Sequence, residues 1–368
     1  MRTFKIICLF LFAASLSSCH RYGVFSFDDI EYITDFGERD FVISEHSRKV
    51  IDLGIEGIHS LKVYGPYLFV STYQEDGQLM IFEKKSPYRC LGKFFHKGNG
   101  PGELVYPVTP SSFVFNTDED GRLTADFNSM SGHVVRFHVS ESIAEGRTIV
   151  ENLSGISRRT FSAVNLGEDG FFYKEMTDTK DAQIRYIVKD GEKIITKSME
   201  RLNSAVIRNK DDDGSRFNVL SGGVKYNSSL KRFAETPGEI NAIHMYSLDD
   251  SYARTFCFGK KLYDFNEIAD RESKDRPTTS ICTRENDDFV MVLYVDATNY
   301  EYYTNENIKP SIIMLPWNGG APNRIRLPDR LNAFDFDEEK DGYYTVAANI
   351  YGYDSSTETI VVYDMMNM

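Results

Sequence analysis

One acidic run has residue types and a spacing that could bind a metal ion. In Asn116-Thr-Asp118-Glu-Asp120-Gly121, oxygen-bearing side chains stand at the first, third and fifth positions and glycine at the sixth, as a calcium-binding loop requires. The twelfth position is Phe127, where such a loop needs a glutamate that binds through both oxygens. We therefore expect an acidic hairpin tip here, and we predict no metal ligands and no cofactor.

A tyrosine-rich stretch is the second group of side chains with a possible chemical use. Tyr300, Tyr302 and Tyr303 stand among asparagine and glutamate residues. Because tyrosine has an apolar ring face and a polar tip, the cluster could stack on sugar rings while its polar neighbours bind hydroxyls. An aromatic strand edge or an insertion between strands is the other interpretation. We include Trp317 as a candidate ligand contact, although packing beside its Asn-Gly-Gly turn is the simpler interpretation.

The thiol with the clearest predicted chemistry is that of Cys19. Arg2 and Lys5 precede an apolar run from Ile6 to Ala14, which is too short to cross a bilayer core that needs about 20 residues. Leu-Ser-Ser-Cys follows, and it is similar to a bacterial lipobox, in which the cysteine becomes the acylated first residue of the mature protein. Ordinary secretion and an uncleaved anchor are the alternatives.

This pattern predicts three segments. Residues 1–18 form a lipoprotein signal peptide, residues 19–40 a lipidated tether and residues 41–368 the folded domain. A tether of that length, at about 3.3 Å per residue, would let the domain stand some tens of ångströms from the bilayer. We expect an outer-membrane protein held through the lipid on Cys19. It faces the periplasm rather than the cell surface, because no acidic residue directly follows Cys19.

Composition and charge limit the class of partner and fold. The 368-residue chain has a formal charge of −13, which disfavours nucleic acid as a partner. Its 22 Tyr and 26 Phe suit pleated sheets. Cys90, Cys257 and Cys282 lie in strand-like apolar contexts, so we expect buried thiols, with a Cys257–Cys282 bridge as the minor alternative.

The pattern of strands and turns predicts an all-β protein. Short apolar or alternating runs are separated by Asp-Gly pairs, which suit tight hairpin turns. The pairs are Asp76-Gly77, Asp120-Gly121, Asp169-Gly170, Asp190-Gly191, Asp213-Gly214 and Asp341-Gly342.

A longer repeat indicates six units, each of the length of a four-stranded propeller blade. The units begin near His59, Ser111, Ser162, Ser221, Ser280 and Asn332. We predict a six-bladed β-propeller of antiparallel blades, with seven blades or paired β-sandwiches as alternatives. We expect the stretches 41–44 and 49–53 to add a strand to the last blade and close the ring.

One internal motif carries a resemblance to a known family. A strand ending in Phe82 and a second strand from Cys90 lead to a loop containing Gly98, Gly100, Pro101, Gly102 and Glu103. This resembles the first blade of the six-bladed, TolB-like β-propeller lipoproteins of bacteria. The resemblance implies a fold and a location rather than an activity, because the family is mostly uncharacterised. The residue types by themselves also indicate a connection between blades. A phosphate-binding loop is disfavoured because the lysine and the following helix that such a loop needs are missing.

Two functions from different classes remain. Gly-x-Ser-x-Gly and His-Glu-x-x-His are both absent from the sequence, which favours a protein without catalytic activity. We therefore predict a membrane-anchored binding or scaffold protein with a protein or glycan partner on the open face of the propeller. The alternative is a metal-dependent hydrolase or lactonase with its site in the central channel. Three or four converging carboxylate, asparagine or histidine side chains there would favour the enzyme.

Overall fold

A computed structural model describes residues 25–100, 102–129, 132–155, 157, 159–208, 218–341, 344–355 and 357–365. These residues form six sheets of four or five strands, arranged as the blades of a β-propeller. The predicted all-β class and the number of blades are therefore confirmed. The predicted signal peptide and Cys19 lie outside the described residues.

Three four-stranded blades come from the first half of the chain. The strands of blade 1 are β4 (Ile58–Tyr64), β5 (Tyr67–Thr72), β6 (Leu79–Glu83) and β7 (Cys90–Phe94). Those of blade 2 are β10 (Val114–Thr117), β11 (Leu123–Ser129), β12 (His133–Phe137) and β13 (Val150–Gly155). Those of blade 3 are β14 (Thr160–Asn165), β15 (Phe171–Met176), β16 (Gln183–Lys189) and β17 (Glu192–Ile194). A two-stranded ribbon, β8 (His96–Lys97) with β9 (Glu103–Leu104), lies between blades 1 and 2.

The other three blades include strands from the N-terminal segment. Blade 4 contains β18 (Gly222–Asn227), β19 (Arg232–Pro237), β20 (Ala242–Ser247), β21 (Ala253–Phe258) and β1 (Ile30–Ile33). Blade 5 contains β22 (Pro277–Glu285), β23 (Phe289–Thr298), β24 (Ser311–Pro316), β25 (Asn323–Arg326) and β2 (Asp40–Val42). Blade 6 contains β26 (Leu331–Asp341), β27 (Tyr344–Asp354), β28 (Thr359–Asp364) and β3 (Arg48–Ile51).

The N-terminal segment thus crosses the outer edges of three consecutive blades. β1 pairs in parallel with β21, β2 pairs in parallel with β25, and β3 pairs antiparallel with β28. The predicted closing strand is confirmed for β3. It is wrong for Phe41 and Val42, which pair with blade 5 rather than blade 6.

The same pairing corrects the predicted tether. Within the range 19–40, residues 25–40 lie on the propeller. Phe25 and Phe27 are 3% and 4% exposed between blades 3 and 4. The Phe27 backbone N–H donates to Thr255 Oγ1 at 2.9 Å, and β1 follows directly. The apolar face of this segment is thereby removed from water, which a free tether would leave exposed.

Asp-Gly pairs lie where the hairpins were predicted. Asp120-Gly121 joins β10 to β11, and Asp190-Gly191 joins β16 to β17. Asp190 and Gly191 both have positive φ, at 53° and 82°, which suits the twist of a two-residue hairpin. Asp213-Gly214 and Gly342 lie outside the described residues.

Helical structure in the described ranges is confined to connections. The α-helices are α1 (Val139–Glu145), α2 (Lys197–Asn203), α3 (Phe265–Ala269) and α4 (Asn299–Thr304). Single 3₁₀ turns occupy Gly37–Arg39, Glu45–Ser47, Pro110–Ser112, Gly167–Asp169 and Ser273–Asp275. Of the helices that the structure describes, none is long and apolar enough to cross a membrane.

Apolar side chains pack between neighbouring blades. Phe69 and Phe94 of blade 1 pack with Phe127 and Phe137 of blade 2, and similar clusters join blades 3 and 4, 4 and 5, 5 and 6, and 6 and 1. These clusters stabilise the ring because they remove apolar side chains from water between neighbouring blades.

The cysteines are partly as predicted. Cys90, Cys257 and Cys282 are free thiols, so the alternative of a bridge is wrong. Cys257 is buried and Cys282 half-buried, but Cys90 is exposed at the start of the outermost strand of blade 1.

Candidate functional site

The six inner strands surround a central channel of about 1450 Å³. These strands run in the same direction. Gly223 and Lys225 of β18 lie beside Thr283 and Glu285 of β22 in the same order. We call the side on which the inner strands begin the upper face. The 3₁₀ turn at residues 110–112 enters the channel from this face, just before β10.

Charged side chains line the wall formed by blades 5, 6 and 1. Asp335 of β26 accepts a hydrogen bond from the Val63 backbone N–H at 2.7 Å. Its other oxygen lies 3.4 Å from Nε of Arg284, a fully buried side chain that also donates to the Leu61 carbonyl at 2.9 Å. Lys62 Nζ lies 3.8 Å from Asp335, which is an ion pair but too long for a hydrogen bond.

Two further ion pairs complete this wall. Lys84 Nζ lies 2.6 Å from Asp337 Oδ1, and Lys225 Nζ lies 2.6 Å from Glu285 Oε2. Lys225 also donates to the Ser111 carbonyl at 2.5 Å, which joins blade 4 to the turn before blade 2. Burial lowers the pKa of the Lys225 ammonium; Glu285 opposes this effect, while the charges of Lys62 and Arg284 add to it.

Aromatic rings line other parts of the channel. Tyr64 stacks on Phe115 with ring centroids 4.1 Å apart and planes 16° from parallel. Phe161 also lines the channel, from the inner strand of blade 3. At the upper face Tyr73 and Tyr106 are 60% and 59% exposed beside the opening. The channel therefore offers both ring faces and charged groups to a ligand.

The acidic side chains deep in the channel are all paired with cations. Asp335, Asp337 and Glu285 each lie within 4.0 Å of a lysine or arginine nitrogen. Asp287, which also lines the channel, lies exposed in the turn between β22 and β23. Among the described residues no three His, Cys, Asp or Glu side chains converge as metal ligands do.

The loop that carries the family resemblance is built around Glu103. Its carboxylate accepts a hydrogen bond from the Gly100 backbone N–H at 2.7 Å. Gly102 has φ +76°, a conformation that favours glycine, and a Cβ at Gly98 would lie 2.0 Å from Glu103 Oε2, so a side chain there would displace the Glu103 carboxylate. The loop is a blade connection, as predicted, while Pro101 lies outside the described residues.

The predicted tyrosine site is divided by the helix α4. Tyr300 and Tyr303 are 60% and 71% exposed, but Tyr302 is 2% exposed and donates to Asn332 Oδ1 at 2.7 Å. The prediction of a ligand contact is therefore wrong for Tyr302. Asn332 follows the first residue of β26, so α4 lies at the upper face.

A sequence signal for this helix was missed. Thr298 and Glu301 form a capping box, in which each side chain accepts a hydrogen bond from the other's backbone N–H. The Thr-x-x-Glu pattern at residues 298–301, which contains Tyr300 and precedes Tyr302 and Tyr303, is sufficient to predict a helix turn instead of a strand edge.

Trp317 is also wrong as a ligand contact. Its side chain is 1% exposed, and Nε1 donates to the Asn286 carbonyl at 2.8 Å. Its own carbonyl accepts from Arg232. The ring packs beside the turn after β24, which is the simpler of the two interpretations of the sequence.

The acidic run 116–121 is a hairpin tip, as predicted. Asp118 accepts hydrogen bonds from the backbone N–H groups of Asp120 and Arg122 and pairs with the Arg122 side chain at 2.8 Å. The carboxylate therefore stabilises the turn.

A second charged cluster lies between blades 3 and 4, away from the channel. Glu235 accepts hydrogen bonds from Lys174 at 2.8 Å, from Arg185 at 2.7 Å and from Tyr246 at 2.8 Å. All four side chains are fully buried. Burial lowers the pKa of Lys174 to about 8, against the raising effect of Glu235. Burial likewise lowers the pKa of the neighbouring His244 to about 3.

Comparison with known proteins supports the fold alone. No model of a protein family matches the chain, and no curated protein matches it. A solved structure of a member of the duf4221 family from Bacteroides vulgatus has a TM-score of 0.51 and 11% identity over 88% of this chain and 94% of that chain. At this identity the likeness shows a six-bladed propeller and no activity.

Other solved structures with the same general shape are more distant. Regucalcin from Agrobacterium tumefaciens, a calcium-binding protein, has a TM-score of 0.45 and 10% identity, covering 88% of this chain and 94% of that one. Virginiamycin B lyase from Staphylococcus aureus has a TM-score of 0.38 and 12% identity, covering 87% and 88%. Neither carries an argument about function.

Proposed function

We propose that this chain is a lipid-anchored, non-catalytic binding protein of the bacterial outer membrane that takes its ligand into the central channel from the upper face. The pairing of the channel carboxylates is the observation that carries this proposal. A carboxylate that is already paired with a lysine or an arginine does not offer both of its oxygens to a metal ion, so Asp335, Asp337 and Glu285 are poorly placed to act as metal ligands.

The shape and lining of the channel support a role in binding. Ligand pockets are concave and largely apolar, with a few polar groups that fix the ligand's orientation. This channel combines ring faces such as the Tyr64–Phe115 stack with a limited set of charged groups. The exposed rings of Tyr73 and Tyr106 at the opening extend the contact surface to the upper face. Tyr300 and Tyr303 remain candidate contacts for a glycan or protein partner on that face.

Metal-dependent hydrolysis, the alternative raised by the sequence, needs several carboxylate, asparagine or histidine side chains that converge on one point. In the described part of the channel, no such group of side chains converges, and carboxylates such as Asp335 form ion pairs instead. No observation favours this alternative over binding.

A thermal-shift screen with neutral oligosaccharides, sugar acids and short peptides tests the binding proposal. We expect at least one probe to raise the melting temperature of the wild type. The variant Ser162→Trp places an indole in the channel from β14 and should abolish the shift. Ser273→Trp, an exposed position outside the channel, should preserve it. Turnover of lactones in the presence of divalent metals, lost in the Ser162→Trp variant, would contradict the proposal.

The anchor is proposed from the sequence pattern that ends at Cys19. Several acyl chains hold a protein firmly on a membrane. Fractionation of cells that express Cys19→Ala should move the protein from the membrane to the soluble fraction, with Cys90→Ala as a control at an exposed thiol. A membrane-bound Cys19→Ala variant would reject the anchor.

A further inference from the structure

We propose that the channel ligand is a hydroxylated carboxylate of the sugar-acid type, whose carboxylate binds the ammonium group of Lys62. This inference rests on the proposed binding function of the channel and names the chemical class of its ligand. Two polar groups of the channel, the Lys62 ammonium and the Asn128 side-chain oxygen, have hydrogen-bonding capacity that the described residues leave unused.

Lys62 is the least satisfied cation of the channel wall. Its side chain is 12% exposed, and its ammonium group has three donors. The nearest acceptor described for it is Asp335 at 3.8 Å, beyond hydrogen-bonding distance. The Asp335 oxygen in question is already bound to the Val63 N–H at 2.7 Å. An ammonium group held in this way favours an additional anionic acceptor.

The charges around Lys62 favour an anion rather than a cation. Lys62, Lys225 and the buried Arg284 form one group with the carboxylates of Glu285 and Asp335, and this group carries one net positive charge. The remaining channel carboxylate, Asp287, lies in the exposed turn after β22 and outside these ion pairs. The next ion pair, Lys84 with Asp337, is balanced within itself. Because the surrounding groups are largely buried, a charge brought to this place is only weakly screened by solvent.

A hydroxyl group on the ligand is inferred from Asn128. This residue lines the channel from β11 of blade 2. Its side-chain oxygen is buried and has no hydrogen-bond partner among the described residues. A buried acceptor without a partner is unfavourable, and a ligand hydroxyl would satisfy it by donating a hydrogen bond to it.

Ring faces on the channel wall complete the recognition of a sugar acid. The rings of Phe161 and the Tyr64–Phe115 stack line the same channel as Lys62 and Asn128. Aromatic faces pack against the C–H face of a sugar ring, while the carboxylate and hydroxyls bind the polar groups. A plain sugar would leave Lys62 unsatisfied, and an apolar acid would leave Asn128 unsatisfied.

Isothermal titration of the full mature chain tests this inference with three probes. These are D-glucuronate, neutral D-glucose and cyclohexanecarboxylate, which lacks hydroxyls. We expect glucuronate to bind at least tenfold more tightly than either of the others. Lys62→Met should weaken glucuronate binding at least tenfold and Lys62→Arg much less. Lys260→Met, an exposed position outside the channel, should bind as the wild type does.

The outcomes separate this inference from the function on which it rests. If glucose binds as tightly as glucuronate, or if Lys62→Met binds glucuronate as the wild type does, the sugar-acid inference is wrong and the binding function stands. If no probe of any class is blocked by Ser162→Trp, both are wrong. Melting temperatures of each variant verify the fold, which Lys62→Met should preserve because Lys62 makes one long ion pair.

Discussion

At the scale of single residues, the buried cluster around Glu235 is where a small change should have the largest effect. One carboxylate there accepts hydrogen bonds from two cations and a tyrosine, all of them without solvent exposure. A buried ion pair adds little net stability, but removal of one partner leaves a charge in a medium that solvates it poorly. Lys174 and Arg185 both depend on Glu235 for compensation.

Glu235→Gln should therefore lower the free energy of unfolding by about 3–5 kcal/mol, the usual cost of an uncompensated buried charge. Urea denaturation measures this loss. The matched control is Glu83→Gln, because Glu83 pairs with Arg89 at 2.6 Å on the surface, with the two side chains 38% and 69% exposed. Exposed pairs contribute less than about 1 kcal/mol. Equal losses in the two variants would contradict the role assigned to Glu235.

Only some of the side-chain contacts could be predicted from the sequence. Asp335 and Val63 are 272 positions apart, and Lys84 and Asp337 are 253 positions apart, so their contacts depend on ring closure and leave no local pattern. The burial of Tyr302, in contrast, follows from a local signal, the capping box that begins at Thr298.

At the scale of elements, the N-terminal segment stabilises three blades in different ways. β1 and β2 add a fifth, parallel strand to blades that already have four antiparallel ones. β3 is instead the fourth strand of blade 6. Loss of β3 would leave blade 6 with three strands, whereas loss of β1 or β2 would leave an ordinary four-stranded blade. We therefore expect the closing strand to contribute most to stability.

Two neighbouring residues of β3 allow a sharp test of its packing. Ile51 is 3% exposed and packs with Ile58 and Leu61 of blade 1, while Val50 is 44% exposed on the other face. Ile51→Ala should lower the free energy of unfolding by about 2–5 kcal/mol, because it removes buried methylene groups and leaves a cavity. Val50→Ala should lower it by less than about 1 kcal/mol. Chemical denaturation compares them, and similar losses would show that β3 does not close the ring.

Elements with a turn signal or a two-residue period were predictable, and those without one were not. Asp-Gly turns and alternating strands located all six blades. β1 and β2 are short and pair in parallel with strands more than 220 residues away, so no hairpin signal accompanies them. Parallel pairing of a distant segment is decided by the exposed edge that the finished blade offers.

At the scale of the whole molecule, the position of Phe25 restricts how the propeller can be held at a membrane. Cys19, the proposed anchor, precedes Phe25 by six residues. Phe25 is 3% exposed between blades 3 and 4, with its ring 4.8 Å from that of His244. Six residues span about 20 Å at full extension. A lipid anchor on Cys19 would therefore hold the rim at blades 3 and 4 close to the bilayer, in place of the long tether that the sequence suggested.

This geometry predicts unequal distances from the membrane to opposite sides of the disc. Blade 1 lies opposite blade 4 in a ring of six, so a label near Asp28 should lie closer to the lipid than one near Lys85. Fluorophores placed by Asp28→Cys and Lys85→Cys, each in a Cys90→Ser background that removes the exposed native thiol, report this difference. Energy transfer to headgroup-labelled vesicles carrying the lipidated protein should be stronger from position 28. Equal transfer from both positions would mean that the disc lies flat or tumbles freely, and the short attachment at blades 3 and 4 would then not orient it.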